Sequence, residues 1–248
     1  SIKIIEDKII MSPLTVLKVD KTTGETIKVA NTKFRILDSN KNPISMKESS
    51  DSSKKVDIFK TDENGQINLT ERLKYGTYYL EEIDAPNGYL KGDLLEFKIT
   101  TYATIENPLV VKYSDDNAMG RIIINKTDDE TGEVLADATF AITAAEDIIT
   151  NDGTLRATKG TVVDTVVTDR SGSAISGQLF LGKYTVQEVS QPNGYVRDNT
   201  VYKVELKYKD QETPLVEQRL ELNNRQSILG IEKYDEISTD KLANVSFK

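Results

Sequence analysis

Two glutamates stand at matching places in two similar stretches of the chain, YYLEEIDAPNGYL (78–90) and YTVQEVSQPNGYV (184–196). If each stretch is a β-strand that runs into a turn, its side chains alternate between two faces. Glu82 then lies on the same face as Leu80, and Glu188 lies on the matching apolar face of the second copy. Because burial of a lone carboxylate is costly unless it is paired or neutral, each glutamate predicts a partner inside the core.

The same alternation selects a lysine and an Asp or Asn in each copy. Lys18 ends the apolar face of LTVLK, and Lys126 ends that of RIIINK. In the last strand of each copy, VVKYSD and LELNN, the polar residues on the apolar face are Asp115 and Asn224. The weaker patterning of this last strand leaves two alternative acceptors open, Asn117 and Asn223.

A lysine, a glutamic acid and an Asp or Asn held together in a dry core can form an amide. Desolvation lowers the pKa of a lysine and raises that of a carboxyl group. A neutral amine is a nucleophile, and a protonated glutamic acid can polarise the acceptor carbonyl and move protons. Proximity then allows one attack per molecule, without turnover, that releases water from Asp or ammonia from Asn. The alternative is an ordinary ion cluster without a covalent bond, since most charged residues on strands are partly solvated.

Composition excludes several other classes of function. The 248 residues carry a net charge of −8, which argues against nucleic acid and anionic membranes as partners. The sequence has no cysteine and no histidine, so we expect no disulfide, no thiolate or imidazole metal site, no cofactor and no histidine-dependent catalysis. No apolar run is long enough to span a bilayer, and we expect no membrane insertion of this segment.

The chain contains an internal repeat. KVDKTTGE (18–25) returns as KTDDETGE (126–133), TDENG (61–65) returns as TDRSG (168–172), and a third copy opens with KYDEISTDKLANVSFK (233–248). We therefore expect a fragment of a longer tandem array. Its four parts would be the last strand of a preceding repeat or a linker (1–13), two complete domains (14–118 and 119–226), and the opening strands of a further, truncated repeat (227–248). The incomplete copies offer a third candidate crosslink, between Lys233 and Asp7.

Within each repeat, short alternating runs lie between turn signals such as DSNKNP and DENG. Many short strands at this spacing are typical of a β-sandwich or a β-barrel. The pattern is ambiguous only at 145–154, where it fits one helical turn or a long loop.

The order K-x-D-x-x-x-G, A-x-x-x-F, T-D-x-x-G and G-x-Y-x-x-x-E-x-x-x-P-x-G-Y resembles the collagen-adhesin B-type (CnaB, SpaA-like) domains of Gram-positive surface adhesins and pilins. The resemblance implies an all-β fold of tandem inverse-immunoglobulin, transthyretin-like sandwiches. It also implies an internal Lys–Asn or Lys–Asp isopeptide bond in each domain. Lys18 and Lys126 match the lysine of the motif, and Glu82 and Glu188 match the glutamate that assists the bond.

The expected function is structural: a stalk segment of an extracellular, cell-wall-anchored adhesin or pilus subunit whose anchor lies outside this sequence, with neighbouring domains of the same array as partners. A domain that binds a host extracellular-matrix protein is the alternative, and the longer insert at 145–160 is then the most plausible grafted loop. An enzyme of transthyretin-like fold is disfavoured, because the sequence offers no catalytic constellation besides the buried Lys, Glu and Asx.

Overall fold

The computed structural model describes residues 9–228, 232–241 and 243, and the elements within these ranges are all β-strands. The all-β fold expected from the sequence is confirmed, and the two repeats form two successive sandwiches. Asp7, proposed above as a crosslink partner, lies outside the described residues.

The first repeat is built from short strands joined by turns. They are β1 (Met11–Ser12), β2 (Leu14–Asp20), β3 (Lys33–Leu37), β4 (Met46–Lys47), β5 (Lys55–Val56), β6 (Phe59–Lys60), β7 (Gln66–Asn68), β8 (Leu73–Lys74), β9 (Gly76–Asp84), β10 (Leu95–Ile99) and β11 (Leu109–Asp115). One sheet has the order β11-β2-β7 and the facing sheet has the order β10-β9-β3-β6. The core between them includes Leu14, Val16, Phe34, Ile36 and Leu80.

The second repeat has the same plan. Its strands are β12 (Met119–Asp128), β13 (Thr139–Ala144), β14 (Ile148–Ile149), β15 (Leu155–Ala157), β16 (Val162–Val167), β17 (Ser173–Ile175), β18 (Leu179–Phe180), β19 (Gly182–Ser190), β20 (Val201–Leu206) and β21 (Leu215–Asn224). In one sheet β12 pairs with β17, β18 and β21, and the facing sheet has the order β16-β13-β19-β20. Its core includes Ile122, Ile124, Phe140, Ile142 and Val186.

The first and last long strands of each repeat are parallel neighbours. In the first repeat β2 pairs with β11, and Asp20 lies opposite Asp115. In the second repeat β12 pairs with β21, and Asp128 lies opposite Asn224. In each repeat the first and last long strands therefore lie side by side, and their relative register is the same in both repeats.

The strand that carries the glutamate pairs with the equivalent strand at the equivalent residue in both repeats. Glu82 of β9 pairs with Phe34 of β3 directly after a break in the register. Glu188 of β19 pairs with Phe140 of β13 after a break at the same point. Such irregularities re-aim side chains, and here the extra residue, Ile83 or Val189, directly follows the glutamate in its own strand.

The turn T-D-x-x-G braces the lysine strand. The carbonyl of Gly65 accepts a hydrogen bond from the Lys18 N–H at 2.9 Å. Gly65 has a φ of 72°, and a Cβ at this position would lie 2.0 Å from the Ile27 carbonyl oxygen. Only glycine fits this left-handed position against the neighbouring backbone, which explains why the motif ends in glycine.

Residues 145–154 form neither the helical turn nor the long loop that the sequence pattern left open. This segment contributes instead to a β-hairpin, in which Ile148 pairs with Ala157 and Ile149 pairs with Leu155. Ile148 is buried at 3% exposure and belongs to the domain core. Packing of one apolar side chain thus fixes the base of the hairpin, which short sequence periodicity does not reveal.

The tip of this hairpin contacts the first repeat. Arg156 Nη2 lies 3.0 Å from Asp20 Oδ2, and the side chains of both are largely buried. Thr23 donates a hydrogen bond of 2.8 Å to Asp152. The insert predicted as a grafted binding loop therefore makes polar contacts with the neighbouring domain.

Candidate functional site: two buried Lys–Glu–Asx clusters

The first cluster lies between the two sheets of the first repeat. Lys18 comes from β2 and Asp115 from the neighbouring strand β11, whereas Glu82 reaches in from β9 of the facing sheet. Lys18 Nζ lies 2.7 Å from Glu82 Oε1 and is in closer contact with Asp115 Oδ1. All three side chains are 0% exposed, so water does not separate the amine from either carboxyl group.

The contacts inside this cluster do not have the geometry of ordinary hydrogen bonds. Lys18 Nζ is within ion-pair distance of Glu82 Oε1 and Asp115 Oδ1, but these three atoms and Asp115 Oδ2 make no hydrogen bond. The second glutamate oxygen, Oε2, accepts a hydrogen bond of 2.9 Å from the Gly92 N–H. Glu82 is therefore anchored through one oxygen while the other faces the amine.

Burial governs the protonation of Asp115. Desolvation raises the pKa of its carboxyl group to about 7, although the charge of Lys18 opposes the shift and Glu82 adds to it. Aromatic rings complete the dry surroundings: Lys18 Nζ lies 4.4 Å from the ring centre of Tyr113 and 5.4 Å from that of Phe34. A substantial neutral fraction of the Asp115 carboxyl at neutral pH follows from this environment.

The second cluster uses the equivalent positions with an amide as acceptor. Lys126 Nζ lies 3.8 Å from Glu188 Oε1, and both side chains are at most 1% exposed. The amine donates a hydrogen bond of 2.7 Å to the carbonyl of Asn223. Burial lowers the pKa of Lys126, against the opposing charges of Glu188 and Asp198.

Asn224 is held by its amide nitrogen. Its Nδ2 donates to Glu188 Oε2 at 2.9 Å and to the Val196 carbonyl at 2.6 Å. Glu188 Oε2 also accepts a hydrogen bond of 2.6 Å from the Asp198 N–H, just as Glu82 accepts one from Gly92. In this cluster the glutamate contacts the group that would leave, whereas in the first cluster it contacts the nucleophile.

The remaining sequence candidates lie elsewhere. Asn117 donates its side-chain amide to Asp20 at 2.6 Å. The Asn223 side chain is exposed, although its carbonyl contacts Lys126. Lys233 is exposed as well. Asp115 and Asn224 are thus the acceptor candidates that the structure buries with a lysine and a glutamate.

Sequence reasoning missed two further buried residues beside the clusters, Asp20 and Asp128. Both are at most 2% exposed. The signal was present: each stands two positions after the cluster lysine, in K-x-D, and alternation places residues i and i+2 on the same face.

Comparison with known families decides the fold family. The model of the SpaA prealbumin-like fold domain matches residues 12–110 and again residues 120–219. The chain belongs to this family. The two matches contain both cluster lysines and both cluster glutamates, but they end before Asp115 and Asn224. The acceptors therefore rest on the geometry of the last strand alone.

Solved structures give similar matches. The Bacillus anthracis TIE protein is 27% identical with a TM-score of 0.56, and the alignment covers 88% of this chain and 35% of that chain. The chain therefore spans about a third of the TIE structure. A streptococcal ancillary pilin is 17% identical (TM-score 0.36), with 88% of this chain and 63% of that one covered. The shaft pilin SpaA of Lactobacillus rhamnosus GG is 15% identical (TM-score 0.35), with coverage of 89% and 100%.

No curated protein matches the sequence. Within the described part of the chain, no helix has the length and apolar character that a membrane crossing requires.

Proposed function

We propose that this chain is a load-bearing stalk segment of a Gram-positive surface adhesin or pilus, and that each of its two domains is closed by an autocatalytic isopeptide bond. The bonds would join Lys18 to Asp115 and Lys126 to Asn224, assisted by Glu82 and Glu188. The observation that carries the proposal is the burial of a Lys–Glu–Asx cluster at the same strand register in both domains. The proposed domains are 14–118 and 119–226, and the segment would act outside the cell, beside other domains of the same array.

In the first domain the reaction is a condensation. The neutral amine of Lys18 attacks the Cγ of Asp115, the C–N bond forms, and the C–O bond to the protonated oxygen breaks. Glu82 takes a proton from the attacking nitrogen and passes one to the leaving oxygen, so that water leaves and the glutamate ends as it began. Contact between the amine and the acceptor, without intervening solvent, supplies the proximity that the reaction requires.

In the second domain the leaving group is ammonia. Lys126 would attack the Cγ of Asn224, so that a new C–N bond forms and the bond from Cγ to Nδ2 breaks. Glu188, already hydrogen-bonded to Nδ2, would take a proton from the attacking nitrogen and pass one to the departing nitrogen, so that ammonia leaves and the glutamate ends as it began. The amine must first turn from the Asn223 carbonyl, which it contacts in the structure. Each reaction occurs once per chain, so the protein is not an enzyme in the sense of turnover.

The position of the bonds suits a mechanical role. In each domain the crosslinked residues belong to the first and last long strands, which are parallel neighbours. A force that pulls the start of the first strand against the end of the last strand shears this pair. A covalent link between them would carry the load in place of the hydrogen-bond ladder, and it also constrains the unfolded chain.

The intact mass of the unfolded chain tests the proposal. A Lys–Asp bond lowers the mass by about 18 Da and a Lys–Asn bond by about 17 Da, because the crosslink is a covalent modification that expels one small molecule. We expect a total deficit of about 35 Da, and loss of one increment in each of Glu82→Ala and Glu188→Ala. Glu81→Ala is the matched control, because Glu81 neighbours Glu82 but contacts Arg35 near the surface. The full calculated mass would refute the proposal and leave two ordinary ion clusters.

A further inference from the structure

Asp20 gathers hydrogen bonds from three separate segments of the first domain. Its Oδ1 accepts the backbone N–H groups of Thr22 and Thr23 at 2.8 and 3.1 Å. Its Oδ2 accepts the Tyr89 hydroxyl at 3.1 Å and the Asn117 amide at 2.6 Å. Asp20 itself is 0% exposed.

Asp128 repeats this pattern in the second domain. Its Oδ1 accepts the N–H groups of Glu130 and Thr131, each at 2.8 Å. Its Oδ2 accepts the Tyr195 hydroxyl at 2.9 Å and the Gln226 amide at 2.8 Å. The hydrogen bond from the Thr131 N–H, followed by that from Gln226, holds the pKa of Asp128 well below its usual range.

The three segments joined by each aspartate are those that carry the cluster. In the second domain, Asp128 follows Lys126 by two residues, Gln226 follows Asn224 by two residues, and Tyr195 belongs to the turn after the Glu188 strand. Tyr195 and Gln226 also pair through an isolated β-bridge. In the first domain the same bridge joins Tyr89 to Asn117.

The turn held by each aspartate also anchors the glutamate. Tyr195 lies three residues before Asp198, whose N–H binds Glu188 Oε2 at 2.6 Å. Tyr89 lies three residues before Gly92, whose N–H binds Glu82 Oε2. A displaced tyrosine would therefore move the donor that fixes the glutamate.

We propose that Asp20 and Asp128 are positioning residues for isopeptide formation: each ties the lysine strand, the acceptor strand and the glutamate turn together so that the three reacting groups meet. This inference rests on the proposed function. The aspartate of the K-x-D motif would thus position the reacting groups, although it neither contacts the reacting atoms nor takes part in bond making. The same kinds of donor recur in both domains: two backbone N–H groups of a turn, a tyrosine hydroxyl and a side-chain amide.

The second domain is the better place for the test, because all four donors to Asp128 come from that domain, whereas Asp20 also pairs with Arg156 of its neighbour. The full chain with Lys18→Ala reports only the second bond. It is made by cell-free synthesis, samples are stopped in acid at intervals, and the loss of about 17 Da is followed by intact mass as a covalent change.

Two variants and one matched control separate positioning from stability. Asp128→Ala removes the tie, and Tyr195→Phe removes one hydroxyl from it. Tyr184→Phe removes a buried tyrosine hydroxyl of the same domain that binds the Phe180 carbonyl instead. Thermal unfolding of each variant is measured with Lys126→Ala added, so that stability is compared without a crosslink.

We expect Asp128→Ala to slow the mass loss by up to about 100-fold, the effect of misplacing a positioned group by about 1 Å. Tyr195→Phe should slow the mass loss less. Tyr184→Phe should leave the rate unchanged, although its loss of thermal stability should be similar to that of Tyr195→Phe. The positioning role would be overturned, with the proposed function left intact, by two results together. Tyr195→Phe and Tyr184→Phe would lose mass at the same rate, and Asp128→Ala would be slowed no more than its loss of stability explains. Absence of any mass loss in the Lys18→Ala chain would instead overturn the proposed function, and this inference with it.

Discussion

Lys18→Ala should convert an inextensible first domain into one that unravels under force. The residues enclosed between Lys18 and Asp115 number 96, and they lie outside the load path if the bond is present. At about 3.3–3.6 Å per residue, their release adds roughly 320–350 Å of contour length. We therefore expect one new extension step of this size in the variant, while the Lys126–Asn224 bond keeps the second domain closed.

Single-molecule stretching of the full chain between terminal handles measures this step. The unchanged chain should break or detach without either large step, and the double variant Lys18→Ala and Lys126→Ala should show two. An unchanged chain that shows the mass deficit of both bonds and yet extends by hundreds of ångströms per domain would refute the load-bearing role. Glu81→Ala, which leaves the cluster intact, should behave as the unchanged chain.

Three further outcomes follow from the site and from the contact between the domains. Lys126→Ala should lower the free energy of unfolding of the second domain by about 4.7 kcal/mol, which is the entropic contribution of closing a loop of roughly 100 residues. Calorimetry should show its Tm fall by roughly 20–35 °C. The pKa of Asp115 is raised to about 7, so its neutral form is lost as the pH rises through that value, and formation of the first bond should slow above pH 7. Mass loss in newly made chain, shifted to different pH values, measures this rate. Asp115→Asn, whose side chain cannot titrate, should remove the decline. Arg156→Ala should loosen the contact with Asp20 and broaden the interdomain distances measured by small-angle scattering, whereas Arg170→Ala, at an exposed position, should not.

Side-chain alternation identified the core-facing side of the strands that carry the two clusters. It placed Lys18, Glu82 and Asp115 on apolar faces, and the structure buries all three. The family was expected from the resemblance of the motifs and the all-β fold from short alternating runs between turn signals, and the family match and the strands confirm both. Covalent crosslinking stays a prediction, because neither alternation nor geometry shows whether the bond has formed.

What the sequence could not supply depends on contacts distant along the chain. The hairpin at β14 and β15 has two short strands, and its conformation depends on the packing of Ile148 in the core and on hydrogen bonds within the loop, such as that from Arg156 to Thr150. The role proposed for Asp20 depends on its contacts with Tyr89 and Asn117, which lie 69 and 97 residues away along the chain. Local pattern reports which face a residue occupies, but not which partners reach that face from elsewhere.

The two clusters differ in their acceptors, and burial addresses a different requirement in each. An Asp acceptor must be neutral before it can lose water, and desolvation raises the pKa of Asp115 towards that state. The attacking lysine must be neutral in both clusters, but an Asn acceptor is neutral already, so in the second cluster only the lysine requirement remains, and desolvation lowers the pKa of Lys126. The glutamate follows the same division: Glu82 lies against the amine, while Glu188 holds the amide nitrogen that would depart. Because both proposed reactions would end in the same Lys–Asx amide, one fold could use either acceptor, provided that the core stays dry and the three strands stay in register.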